Sequence, residues 1–236
     1  MQLSVRDVAK LFNVAEKTIY RWLQQGKIPA YKINDQYRFN KTELLEWATA
    51  QKIQVSPAIF SDAEESVPLP MLHDAIEMGG IHYRVDGGDR ASVLRAIVKL
   101  IPLPQEVDRE FLLQVLLARE SLGSTAIGDG IAIPHVRTPI VMHILQPLIA
   151  VCFLEHPIDF EALDGKPVKT LFTLISPTIK AHLHLLSRLS FALGQKEFRQ
   201  SILHQAARSE LIASAAHCDR LCCTTVKSEI NDKSSA

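Results

Sequence analysis

The fold of the second half of this chain is decided by one stretch, residues 123–135, which reads GSTAIGDGIAIPH. Three glycines within eight residues let the backbone turn so that several N–H groups point at one place, the geometry of an anion-binding nest. Two hydroxyl side chains beside the first glycine add further donors. We therefore predict a phosphate-binding loop, with contacts from Ser124, Thr125, Gly128 and Gly130.

The loop ends at a histidine whose surroundings favour phosphorus chemistry. Pro134 fixes the backbone just before His135 and holds the imidazole at the end of a short strand. A neutral imidazole nitrogen is a competent nucleophile toward phosphorus, and the charge of a phosphoryl group then needs a cation. Arg119 ends the preceding helix four residues before the loop, so we predict that it stabilises the phosphate.

A second histidine is selected by helical periodicity. His182 shares a helix face with Leu185, Leu186 and Leu189, so it is expected to point inward. His184 shares its face with a serine and an arginine and is expected to point to solvent. We predict that His182 joins His135 in the site, and we interpret the other histidines as structural or exposed.

Helices and apolar strands surround this loop in mixed order. The predicted strands cover residues 147–154 and 168–175, and the second follows a turn at Asp164-Gly165. Predicted helices cover residues 92–101, 108–119, 180–193, 197–205 and 209–216. One core with this mixture predicts an α/β sandwich, a mixed sheet flanked by helices.

The first fifty residues have a different pattern. Ser4 and Asp7 have the spacing of a capping box, and a second short helix over residues 15–24 completes a helix-turn-helix. Apolar runs on both sides of Asn34-Asp35 predict a β-hairpin wing, and residues 41–48 predict a closing helix. The fold class is a small winged helix-turn-helix, mostly α. We predict DNA contacts from Lys17, Thr18, Tyr20, Arg21, Lys32 and Arg38.

Charge is distributed unevenly although the whole chain sums to zero. Residues 1–56 carry nine cations and five carboxylates, whereas residues 57–80 carry five carboxylates and no cation. The zero sum therefore does not exclude nucleic acid, because the basic part is concentrated in one domain. We expect a DNA-binding domain over 1–55, an acidic, proline-containing linker over 56–70, a phosphocarrier domain over 71–218 and a disordered tail over 219–236.

Several classes of protein are not expected. The first twenty residues carry five charges and no apolar core, so we expect no secretory signal, and no apolar run is long enough to span a bilayer. The C-terminal cysteines beside His217 are too closely spaced for the usual zinc patterns, so we expect no metal site and no cofactor. Free thiols in such a chain are typical of a cytoplasmic protein.

Two resemblances follow from these motifs. Residues 4–48, SVRDVAKLFNVAEKTIYRWLQQGKIPAYKINDQYRFNKTELLEWA, resemble the excisionase-like, MerR-related helix-turn-helix domain. The segments LLARESLGSTAIGDGIAIPH, FEALDGKPVKTLFTLISP and KAHLHLLSRLS are similar to enzyme IIA of the phosphoenolpyruvate-dependent phosphotransferase system (PTS), of the fructose, mannitol and nitrogen-regulatory type. This second resemblance covers about residues 69–216.

The second resemblance implies roles for named residues. It implies that His135 accepts phosphate from a phosphorylated HPr-type carrier, that His182 is the second active-site histidine and that Arg119 is the site arginine. The family commonly reads GIGNG where this chain has AIGDG, which places Asp129 near an anion site. Glycine often follows the histidine where this chain has Val136. Neither difference removes a reacting group.

The sequence leaves three functions open. The leading hypothesis is a DNA-binding regulator, dimeric on DNA, whose phosphocarrier domain modulates DNA or partner binding. The second is a working phosphotransferase component that passes phosphate to the cysteine of a separate IIB protein. The third is a nitrogen-type regulator that acts by docking to partner proteins.

Overall fold

The computed structural model describes residues 2–33, 36–51, 53, 69–136 and 146–234. The Asn34-Asp35 turn and most of the predicted linker, residues 56–68, lie outside the described residues. The side chain of Lys32 also lies outside them, although its backbone belongs to a strand. The domain boundaries around the linker therefore stay a prediction.

The N-terminal domain has the predicted helix-turn-helix with a hairpin wing. The α1 helix begins after Ser4, whose hydroxyl accepts the Asp7 N–H while the Asp7 carboxylate accepts the Ser4 N–H, as the capping box predicts. Its elements are β1 (Gln2–Leu3), α1 (Val5–Leu11), α2 (Glu16–Gln24), β2 (Tyr31–Ile33), β3 (Gln36–Asn40) and α3 (Lys41–Ala50).

The wing and an aromatic cluster hold this domain together. Ile33 pairs with Gln36 in the β2–β3 hairpin, and β1 adds a third strand beside β3. Phe12, Trp22 and Trp47 pack with ring centroids 5.4–6.3 Å apart, so α1, α2 and α3 share one aromatic core.

The C-terminal domain is the predicted α/β sandwich with a mixed sheet. Within the described residues the strand order is β4-β7-β8-β6-β5, with the β4–β7 and β6–β8 pairs parallel and the β7–β8 and β5–β6 pairs antiparallel. Its elements are α4 (Leu72–Gly79), β4 (Ile81–Val85), α5 (Arg90–Leu100), α6 (Arg109–Ser121), β5 (Ala126–Gly128), β6 (Ile131–Ala132), β7 (Leu148–Ile158), β8 (Val168–Ile175), α7 (Ile179–Gly194), α8 (Lys196–Leu203) and α9 (Arg208–Ser234).

Side chains of the central strands point alternately to the two faces of the sheet, and this divides the core into two layers. Ile149, Val151 and Phe153 of β7 belong to the apolar cluster that contains buried residues of α4, α7, α8 and α9. The intervening residues Ala150 and Cys152 belong to a second cluster with α5 and α6. Successive strand residues point to opposite faces, so helices cover both faces of the sheet.

The two domains are packed against each other. Helix α3 of the N-terminal domain contacts α7 and β5 of the C-terminal domain. The buried apolar residues of the N-terminal domain, Leu44 and Ala48 among them, form one continuous cluster with the α7 side of the sandwich. Helix α3, the last helix of the N-terminal domain (the reading domain), therefore lies against β5 in the 123–135 loop.

Residues 219–234, for which the sequence predicts a disordered tail, belong to a helix in the structure. Helix α9 continues to Ser234, and its residues Leu211, Ala215, Cys218 and Cys222 form a buried stripe at helical spacing. Asp219 accepts the backbone N–H groups of Leu72 and His73, so its carboxylate caps the start of α4 from the far end of the sequence. Residues 219–223 thus extend the domain expected to end at 218.

Candidate functional site

The conformation of the His135 ring is set by the backbone that precedes it. Its Nδ1 lies 2.6 Å from the carbonyl oxygen of Ile133, and because a carbonyl can only accept, Nδ1 carries the proton. The backbone is held by a bridge to Leu174 of β8, whose N–H donates to Pro134. His135 is 3% exposed. Nε2 is therefore the ring nitrogen that would present a lone pair when the ring is neutral, and its role as the nucleophile stays a prediction.

His182 lies beside that ring, in the first turn of α7. The two ring centroids are 5.3 Å apart, so the structure brings together the two histidines that the sequence singles out. Burial, with a smaller effect of the neighbouring His135 and Arg119, lowers the pKa of His182 to about 3, although the nearby Glu46 carboxylate acts in the opposite direction. Neither ring nitrogen has a hydrogen-bond partner within the described residues, so one neutral N–H donor is available to an incoming group.

Arg119 supplies the cation of this site. It lies in the last turn of α6, which continues to Ser121, two residues beyond the predicted end, and its guanidinium donates to the Gly123 carbonyl at 2.9 Å, which fixes the start of the loop. A small cavity of about 30 Å³ is lined by Arg119, His135, Ser124 and Thr125. The structure therefore places the predicted arginine, nucleophile and hydroxyl residues around one space.

Both predicted hydroxyls already have structural partners. Ser124 Oγ donates to the Phe160 carbonyl and accepts the N–H of Ala126. Thr125 donates its hydroxyl and its backbone N–H to the buried carboxylate of Glu120, at 2.7 and 2.8 Å. These bonds shape the loop. Direct phosphate contact by either hydroxyl stays a prediction and would require one of these bonds to be exchanged.

Gly128 and Gly130 serve a tight turn between β5 and β6. Asp129 and Gly130 both have positive φ, 52° and 75°, as a two-residue type I′ turn requires. The Asp129 N–H donates to Asp164, and its carboxylate contacts Lys166 and Arg199, so its charge is balanced locally. Gly128 lines a neighbouring cavity of about 240 Å³ and not the His135 cavity. Phosphate binding by these glycines stays a prediction.

Sequence reasoning missed one residue of the site, Glu46. This residue of α3 places Oε2 at 2.9 Å from the Arg119 guanidinium and Oε1 at 3.1 Å from His135 Nε2. The second approach does not have hydrogen-bond geometry, and it is an ion pair only when the ring is protonated. The contacts join residues 73 positions or more apart, and no local sequence pattern indicates them.

The predicted DNA-contacting residues lie on α2 and on the β2–β3 hairpin. Lys17, Tyr20 and Arg21 are exposed on α2, and Thr18 is half-buried beside them. Arg38 is half-buried on β3, where it pairs with Tyr31 across the hairpin. The face on α2 stays exposed although α3 is packed against the other domain.

The chain belongs to the family of phosphoenolpyruvate-dependent sugar phosphotransferase system EIIA 2 domains, whose model matches residues 76–216. Residues 3–52 match a helix-turn-helix domain. The family assignment agrees with the five-stranded mixed sheet and its flanking helices, and the second match agrees with α1 and α2.

The similar proteins match the EIIA domain of this chain. A nitrogen regulatory protein of Pseudomonas aeruginosa is 41% identical over 122 residues, which is 50% of this chain and 77% of that protein. The fructose-specific EIIABC component of Bacillus subtilis is 34% identical over 136 residues, 56% of this chain and 21% of that protein. The crystal structure of nitrogen regulatory protein IIA-Ntr from Neisseria meningitidis superposes with a TM-score of 0.54 at 29% identity, over 61% of this chain and 98% of that one.

Within the described residues, every helix is too short or too polar to cross a bilayer.

Proposed function

We propose that this chain is a DNA-binding regulator whose EIIA domain is phosphorylated on His135 Nε2 by a phosphorylated HPr-type carrier. The observation that carries the proposal is the ring geometry: Nδ1–H donates to Ile133, which leaves Nε2 as the free base facing the cavity. The relatives named as nitrogen regulatory proteins support a regulatory role.

The phosphoryl transfer balances without a cofactor. The lone pair of His135 Nε2 forms a bond to phosphorus while the bond between phosphorus and the donor's histidine nitrogen breaks. The electron pair of the broken bond returns to the donor imidazole, which a proton on its other nitrogen leaves neutral, while His135 keeps its Nδ1 proton and its ring carries the positive charge. Arg119 neutralises charge on the phosphoryl oxygens, and the neutral His182 donates one hydrogen bond to them.

The output of the regulator is the N-terminal domain. Exposed Lys17 and Arg21 on α2 suit phosphate and base contact in a major groove. A single module of this size binds weakly, so a dimer on paired half-sites is expected to provide useful affinity. The state of His135 then modulates DNA or partner binding.

Radiolabel transfer tests the nucleophile. The full chain is incubated with labelled phosphoenolpyruvate, enzyme I and HPr, and His135→Ala should lose all label. His204→Ala is a matched control, because His204 is exposed on the surface and should leave labelling unchanged. Label that persists in His135→Ala would show that another residue is the acceptor.

A DNA mobility shift with and without the phosphorylating proteins tests the regulatory half. Identical DNA affinity of the phosphorylated and unphosphorylated chain would show that phosphorylation does not modulate DNA binding. The runner-up is a phosphotransferase component, and the fructose-specific EIIABC relative favours it. Transfer of label from this chain to a IIB cysteine would support that function instead.

A further inference from the structure

A carboxylate of the reading domain, that of Glu46, lies inside the proposed phosphorylation site. The Glu46 side chain is only 8% exposed, and it contacts Arg119 and His135 of the EIIA domain. Burial of a charge is costly unless it is paired. Here the partner is Arg119, the same cation that the proposed function assigns to the phosphoryl group.

We infer that Glu46 occupies the place of the phosphoryl group, so that helix α3 and the incoming phosphocarrier compete for one surface of the EIIA domain. This inference rests on the proposed function. Its basis is the double approach of one carboxylate: Oε2 contacts the cation, and Oε1 stands 3.1 Å in front of the nucleophilic Nε2. A phosphoryl group bonded to Nε2 would need both positions.

The small volume of the site also indicates that α3 and the phosphocarrier compete for this surface. The cavity beside Glu46, His135 and Arg119 measures about 30 Å³, which holds about two water molecules. In-line transfer requires the donor imidazole to approach on the far side of phosphorus from Nε2. Thr49 and Ala50 of α3 line the same cavity and close that approach. Transfer to His135 therefore requires α3 to leave.

Electrostatic repulsion prevents the Glu46 carboxylate and a phosphoryl group on His135 from occupying the site together. A phosphorylated side chain carries about −1.5 to −2 charges at pH 7, and a carboxylate held against it is repelled. The docked state also leaves His182 without hydrogen-bond partners and Arg119 Nε unpaired within the described residues. A phosphoryl group would satisfy these atoms, which favours its replacement of Glu46.

The α3–EIIA interface is incompletely packed although its buried apolar residues form one cluster. A cavity of about 240 Å³ remains between Thr49 and Ile53 of the reading domain and Leu193 and Arg199 of the EIIA domain. Close-packed cores leave few voids larger than a water molecule. Phosphorylation of His135 would therefore release the reading domain from a docked position.

Labelling rates of the full-length variants test this competition. Glu46→Gln and Glu46→Arg should be phosphorylated by phospho-HPr about tenfold faster than the unaltered chain or more, because the carboxylate no longer holds α3 on Arg119. Glu43→Gln is the matched control. It lies on the same helix, and its carboxylate contacts Tyr31 and not the site, so its rate should equal that of the unaltered chain.

Small-angle scattering adds a second readout. The radius of gyration should increase when the unaltered chain is phosphorylated, and Glu46→Arg should show this increase without phosphate. Equal labelling rates in all variants, with label still dependent on His135, would overturn the inference and leave the proposed function standing. Absence of label in every variant, Glu46→Arg included, would overturn both.

Discussion

At the scale of single residues, the site depends on a histidine that is kept neutral. Burial holds the pKa of His182 at about 3, below the ordinary value of 6.5. His184, which the sequence predicts to face solvent, is half-buried in the structure, and this burial holds its pKa at about 4. Between these values and 6.5 the unfolded chain binds protons that the folded chain does not. The contribution of these two histidines to the free energy of unfolding is therefore complete above pH 6.5, and it declines as the pH falls.

We expect the free energy of unfolding to fall by about 2 kcal/mol for each of these two histidines between pH 7 and pH 5. His182→Gln should remove one of these contributions, so its stability should depend less steeply on pH. Urea denaturation at several pH values measures the slope. His204→Gln, on the surface, is the control, and an unchanged slope in His182→Gln would mean that the ring is not kept neutral by burial.

The residues of the site differ in how far the sequence predicts them. His135 and Arg119 lie within one continuous stretch, and the structure places both at one cavity with the helical-face residue His182 nearby. Local spacing is enough for such residues because the chain between them is short and ordered. Glu46 cannot be predicted in this way, because its contact with Arg119 depends on how two domains pack.

At the scale of elements, the turn between β5 and β6 illustrates what glycine does in the loop. Gly130 has a φ of +75°, and a Cβ there would lie 3.3 Å from the carbonyl oxygen of Pro167. Gly165 has a similar φ of +67°, with nothing within 4 Å of the position of a Cβ. A comparison of Gly130 with Gly165 therefore distinguishes the cost of backbone strain from the cost of a steric contact.

Gly165→Ala should destabilise the fold by about 1 kcal/mol through strain alone, whereas Gly130→Ala should cost about 2–3 kcal/mol. Thermal or denaturant unfolding of the two variants measures the difference. Gly88→Ala, where a Cβ meets nothing and φ is ordinary, should change stability little. Equal losses at 130 and 165 would show that the Pro167 carbonyl yields without cost.

The long apolar strands are the elements that the sequence predicts best. The β8 strand has the predicted bounds, 168–175, because an apolar run between turn residues has few alternatives. The β4 strand and helix α4 were not predicted as elements. In β4 only the two end residues are buried, and α4 receives its N-terminal cap from Asp219, far away in the sequence.

At the scale of the whole molecule, the start and end of the EIIA domain are joined by one buried polar cluster. Asp219 of α9 contacts Arg188 of α7 at 2.6 Å and His73 of α4 at 2.8 Å. Burial alone would raise the pKa of Asp219, but hydrogen bonds from His73 and Leu72 and the charge of Arg188 lower it overall. The carboxylate therefore stays charged and links three helices.

Asp219→Ala should destabilise the domain by about 3 kcal/mol or more, because it leaves the Arg188 guanidinium buried without its carboxylate. Glu210→Ala, an exposed change on the same helix, should stay within about 0.5 kcal/mol of the unaltered chain. Chemical denaturation followed by circular dichroism distinguishes them. A loss below about 1 kcal/mol in Asp219→Ala would show that the cluster contributes little to stability.

The position of Glu46 on the last helix of the reading domain also has a thermodynamic consequence. Coupling between two binding equilibria is reciprocal: whatever factor phosphate adds to DNA affinity, DNA must add to phosphate occupancy. An operator that favours the undocked reading domain would therefore raise the phosphorylated fraction at a fixed ratio of phosphoenolpyruvate to pyruvate. Titration with duplex DNA would reveal this as extra label, and the DNA would then act as an effector of phosphoryl flow as well as a target.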